Sequence, residues 1–197
     1  MSKAVLISVR PKWCEKIING DKTIEVRKTR PKMDTPFKCY IYCTIGGQDL
    51  NIPISQERLM RDYLETGSMK SLNCPLGNGK VIGEFTCDRI YGLAPLNHAP
   101  DDVEQQACLT RKEIVRYLKG VGYGWHITDL RIYDVPRELS EFWRSCPEYS
   151  ELSTNCLLCE NVCGDSDETD CNTDGRIYLR RAPQSWCYVE DVRDEHC

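Results

Sequence analysis

Gly20-Asp21-Lys22-Thr23-Ile24-Glu25-Val26-Arg27-Lys28 is the densest run of chemistry-bearing residues in the chain. Gly20 ends whatever precedes it, and Lys22 sits in the turn. Ile24 and Val26 alternate with Thr23, Glu25 and Arg27, which predicts a half-buried strand over 23–29 with a polar, partly charged outward face. A carboxylate set among cations keeps its charge and orients a guanidinium. Such a group can grip a phosphate or a polar base edge, or activate water. The same pattern also describes an exposed strand with a surface ion pair, which contributes little.

Upstream, Lys3 to Val9 is a continuous apolar stretch and reads as a buried strand. Pro11 stands where a helix accepts its first proline, and Trp13, Ile17 and Ile18 mark one helical face that stops before Gly20. Downstream, 37–44 reads as a strand and 55–66 as a helix capped by Ser55, with an apolar stripe of Leu59, Met60, Tyr63 and Leu64. Lys80 to Leu93 reads as one long strand, and 94–108 as loop. Thr110-x-x-Glu113 is a capping box opening a helix through Leu118. Tyr123 to Tyr133 is β-prone, with Gly122 and Gly124 signalling close backbone approach, and Ser185 to Glu190 closes with a short strand. The helices needed for a doubly wound sheet are missing, so an α+β fold built on a small mixed β-barrel with a few flanking helices is expected.

The 197 residues are 41% apolar and 28% charged, with a net charge of −4, an ordinary globular composition. One domain over 1–197 is expected. No apolar run approaches the ~20 residues of a membrane span. The run from Ala4 to Val9 ends at Arg10-Pro11 and is too short for a secretory leader. Charge is uneven: residues 1–40 hold ten Lys/Arg against four Asp/Glu, whereas 134–197 hold six against fifteen. Any anionic ligand is therefore expected at the front of the chain. Thirteen cysteines, an odd number, fit reduced thiols and a cytoplasmic location better than a disulfide framework.

Gly20-x-Lys22-x-x-Glu25-x-Arg27 resembles the signature of the ASCH domain, a member of the PUA-like β-barrel superfamily. The resemblance continues through Leu6 to Gly20, Val81-Ile82-Gly83-Glu84-Phe85, Gly122-Tyr123-Gly124-Trp125-His126-Ile127 and Pro183-Gln184-Ser185-Trp186-Cys187-Tyr188-Val189. It covers about residues 3–135 and 177–191, and implies a barrel with a cleft beside the first helix that binds RNA, single-stranded nucleic acid or a modified nucleoside or nucleotide. Lys22, Thr23, Glu25, Arg27 and His126 are the expected ligand-binding residues. Some members of the family are hydrolases. One branch removes the acyl group of N4-acetylcytidine with a threonine nucleophile at the place held here by Glu25, and ribonuclease activity is the other reported chemistry. The alternative reading is accordingly a small hydrolase in which Glu25 and Glu84 activate water and Lys22 stabilises the oxyanion. Glu84 lies in an otherwise apolar stretch and is expected to pair with Lys22 or Arg27 across the cleft.

Residues 145–175 are polar, acidic and cysteine-rich, and read as an insertion within the domain. Cys156, Cys159, Cys163 and Cys171 supply four thiolates, the first two at the spacing zinc favours, with Cys146 ten residues upstream as a substitute ligand. A segment so poor in apolar residues needs a staple, and a structural zinc with a closed thiolate shell would provide one. Free thiols on a mobile insert and a redox role are the other readings, and a protein-interaction adaptor working through this acidic rear is the third functional one.

Overall fold

The computed structural model describes residues 2–67, 74–93, 98–146 and 175–191. The proposed zinc ligands Cys156, Cys159, Cys163 and Cys171, and most of the 145–175 insertion, lie outside the described residues. The architecture is α+β, as the sequence predicts. Strand β1 (Lys3–Val9) leads into α1 (Pro11–Ile18), β2 (Ile24–Arg27), β3 (Phe37–Cys43) and α2 (Gln56–Thr66). Then follow β4 (Val81–Cys87), β5 (Ile90–Gly92), α3 (Val103–Ala107), α4 (Arg111–Leu118), β6 (Tyr123–His126) and β7 (Thr128–Arg137). A 3-10 turn at Leu139–Glu141, β8 (Trp143–Ser145), β9 (Arg176–Tyr178) and β10 (Trp186–Glu190) complete the order. Among the described residues no helix is long and apolar enough to cross a membrane.

The strands form a five-stranded sheet in the order β10-β1-β3-β4-β7, a three-stranded sheet β2-β6-β5 and a β8-β9 ribbon. β1 is an interior strand, antiparallel to β10 and parallel to β3, and its residues from Ala4 onward are buried on both faces. That explains its unbroken apolar sequence. Val5, Ile7 and Val9 enter the main core with Trp125, Phe85 and Ile17, while Ala4 and Leu6 enter a second cluster with Tyr40, Phe142 and Val81. Phe37 meets Trp125 edge-on, with ring centroids 6.0 Å apart.

Several expectations about the elements need correction. The long strand over 80–93 divides into β4 and β5, which belong to different sheets. The stretch 123–133 divides likewise into β6 and β7. The two breaks carry the chain between the five-stranded and the three-stranded sheet, whose residues share the main core. The stretch 94–108, read as loop, contains α3, whose Val103 and Ala107 pack under Ile24 and Val26. The stripe on α2 does not enter the core: no α2 residue is buried, and Met60 and Leu64 are 61% and 76% exposed.

The capping box on α4 is present as predicted, with Thr110 and Glu113 exchanging hydrogen bonds. Gly124 permits the close approach foreseen for it: a Cβ there would stand 2.9 Å from Ile24 Cγ2.

Candidate functional site

A further correction concerns β2. Its register against β6 places Glu25 opposite Trp125 and Arg27 opposite Tyr123, and all four β2 residues are buried. The face expected to be outward is interior. Glu25 is 7% exposed, Arg27 6% and Lys22 3%.

Buried charges persist only when paired and hydrogen-bonded. Glu25 Oε1 lies 3.1 Å from Arg27 Nη2, and Oε2 lies 3.4 Å from Lys22 Nζ. Lys22 Nζ also donates to the Ile24 and Ala107 carbonyls, both at 2.8 Å. Arg27 Nη2 donates to the Ser8 carbonyl at 2.7 Å, and Nη1 to the Ser185 carbonyl at 3.2 Å. The triad thus stitches β2 to the end of α3, to β1 and to the segment entering β10. Glu25 Oε2 and Arg27 Nε are buried without a hydrogen bond.

The triad forms the floor of a cavity of about 930 Å³. Trp13 of α1, Tyr42 of β3 and Tyr117 of α4 contribute aromatic wall, and Arg10, Arg116, Arg180 and Arg181 contribute exposed cations. Glu113 is the second carboxylate of the lining, and its capping hydrogen bonds from the Thr110 backbone and side chain hold its pKa below the ordinary value. Trp13 lies beneath two ammonium groups, Lys12 at 4.8 Å and Lys22 at 5.2 Å from the ring centroid.

Of the residues singled out from sequence, Lys22, Glu25 and Arg27 come together here. Glu84 does not join them. It projects from β4, opposite Tyr40 in register, where it accepts from the Tyr133 hydroxyl at 2.7 Å and faces Lys38 at 3.8 Å and Arg131 at 3.9 Å. Alternation from Phe85, which enters the main core, sends Glu84 to the opposite face beside Tyr133 of the second cluster, and the register shift between Val81 and Gly83 is what lets Ile82 enter the main core. Burial, then the hydrogen bond to Glu84 and its charge, pushes the Tyr133 hydroxyl well above its usual pKa.

Thr23 turns to Gln106, with Oγ1 3.3 Å from Oε1, and does not line the cavity. His126 pairs with Asp88, Nδ1 to Oδ1 at 2.7 Å, and also lies outside the lining. Among the described residues no three His, Cys, Asp or Glu side chains are grouped to hold a metal ion.

No family profile and no curated protein matches the chain. Its similarity is to solved structures of two mutant forms of ZmASCH from Zymomonas mobilis. One is 15% identical with a TM-score of 0.47, covering 91% of this chain and 92% of that one. The other is 16% identical with a TM-score of 0.46, covering 90% and 89%. Likenesses this distant assign no activity, so function is argued from the cavity itself.

Sequence reading missed the rim. Arg10, Arg116 and the Arg180-Arg181 pair come from distant chain segments and converge only in the fold. The adjacent arginines preceding Pro183 were the one local signal for it.

Proposed function

We infer that this protein binds an anionic ligand carrying a flat ring, a nucleotide unit of single-stranded nucleic acid or a modified nucleotide, in the cavity above Glu25. The observation that carries this reading is the convergence of exposed Arg10, Arg116, Arg180 and Arg181 around a cavity walled by Trp13 and Tyr117. Guanidinium forks suit phosphates, and aromatic faces suit bases. The two carboxylates in the lining are engaged already, Glu25 by Lys22 and Arg27 and Glu113 by its cap.

Binding is favoured over hydrolysis by the same geometry. Lys22 directs Nζ to two backbone carbonyls and a carboxylate, and Glu84 serves a different cluster. The thiolates Cys156, Cys159, Cys163 and Cys171 belong to the proposal as ligands of a structural zinc, remote in role from the ligand.

The test is fluorescence anisotropy with a short labelled single-stranded RNA across a salt series. Affinity should fall steeply as salt rises, since pairing with phosphates releases counterions, and Arg116→Ala should weaken it. Failure of the protein to bind RNA, single-stranded DNA and free nucleotides at low salt would overturn the reading.

A further inference from the structure

Lys28-Thr29-Arg30-Pro31-Lys32 follows Arg27 of the cavity floor and holds three cations and no carboxylate. All three cations are exposed. Among the described residues no carboxylate pairs with Lys28, Arg30 or Lys32. Lys16, Lys38, Arg58 and Lys80, elsewhere on the surface, each face one. The segment belongs to no helix or strand, yet it is pinned. Trp186 Nε1 donates to Thr29 Oγ1 at 2.9 Å, and Lys32 N donates to the Tyr188 hydroxyl at 2.7 Å. Trp186 and Tyr188 stand two apart on β10, hence on one face, with ring centroids 5.4 Å apart.

Two of the cations are seated as well. Lys28 Nζ lies 5.4 Å from the ring centroid of Tyr117, and the Arg30 guanidinium carbon lies 5.6 Å from that of Tyr123. These contacts join the segment to the cavity. Tyr117 is part of the cavity wall, and Tyr123 is the register partner of Arg27. Pro183 and Gln184 also line the cavity, and Trp186, which holds Thr29, follows two residues on. We propose that Lys28, Arg30 and Lys32 form a phosphate track that leaves the cavity past Tyr117 and takes the nucleotides flanking the one held inside.

The track rests on the reading of the cavity as a nucleotide site, and it narrows the ligand from a free nucleotide to a single strand. Like charges held together repel one another, and the anionic backbone of a strand relieves that repulsion. The hydrogen bonds from Trp186 and to Tyr188 fix the segment before a ligand arrives, so little ordering remains to be done on binding. Contacts to phosphate carry no base information. The track therefore adds affinity and fixes register, and any discrimination between bases falls to the cavity.

The test is fluorescence anisotropy of the full chain with fluorescein-labelled random-sequence RNA of two and of eight nucleotides, across a salt series. In the wild type the slope of log K against log salt should be steeper for the octamer by about 2, from about 0.7 for each of three phosphates neutralised by the track. The triple variant Lys28→Ala/Arg30→Ala/Lys32→Ala should lose that difference. Arg116→Ala should weaken binding of both lengths and keep it. Equal slopes for the two lengths in the wild type, or an undiminished difference in the triple variant, would overturn the track and leave the cavity reading standing. A wild-type protein that binds neither length would overturn the cavity reading and the track with it. The wild-type comparison of lengths decides even if the triple variant fails to fold.

Discussion

Lys22 Nζ lies 2.8 Å from the carbonyl oxygen of Ala107, 85 residues along the chain. The lysine of the 20–28 run is thus a buried tie between the turn before β2 and the C-terminal end of α3. Its ammonium is compensated by the Ile24 carbonyl and by Glu25. Removing one member of such a network strands the others in a low-dielectric interior.

Lys22→Met is therefore expected to cost about 3–5 kcal/mol of folding stability, measured by urea denaturation. The double variant Lys22→Met/Glu25→Gln should cost less than the two single changes summed. A Lys22→Met protein as stable as the wild type but unable to bind RNA would instead place Lys22 against the ligand.

The rim arginines should behave in the opposite way. Arg10→Ala and Arg116→Ala alter exposed side chains and should leave stability within about 0.5 kcal/mol. Each should lower RNA affinity and reduce the slope of log K against log salt by about 0.7 for every single-strand phosphate left unneutralised. Unchanged affinity and slope in both variants would place the nucleic acid elsewhere.

For the insertion, purified protein prepared without chelators should carry about one zinc per chain, by analogy with four-thiolate structural sites. Cys159→Ser should release the metal while the rest of the protein keeps its cooperative unfolding. Metal-free protein with every thiol titratable would leave the insertion without this staple.

Asp191 closes β10 onto the start of the chain. Its carboxylate accepts from Lys38 at 3.0 Å, Tyr40 at 2.8 Å and Ser2 at 3.3 Å. Burial alone would raise its pKa, but these hydrogen bonds and the Lys38 charge together hold it below the ordinary value. A depressed carboxyl contributes stability that is present above the unfolded pKa of about 3.9 and is lost as pH falls through the folded value. Asp191→Asn should therefore destabilise at neutral pH and flatten the acid limb of the stability curve below pH about 4. An acid limb that keeps its wild-type steepness in the variant would remove Asp191 from this role.

The capping box at Thr110 and Glu113, the apolar run of β1 and the close approach at Gly124 were legible because each is decided by neighbours within a few residues or by one steric fact. The division of 80–93 and 123–133 between two sheets was not, since the residues in each stretch favour β structure throughout and only the packing of two sheets around one core requires the break. α2 shows the limit of periodicity: Met60, Tyr63 and Leu64 recur at helical spacing, yet all three stay exposed and join no core cluster among the described residues.

The sequence by itself determined the class of the fold, most of its elements and the grouping of Lys22, Glu25 and Arg27, because alternation along one short strand brings the last two onto one face. Only the tertiary structure decided that this face is interior, that Glu84 answers to Tyr133 and Lys38, and that Arg10, Arg116, Arg180 and Arg181 share one rim. Burial and long-range convergence depend on which sheet packs against which, and strand periodicity carries no information about that choice.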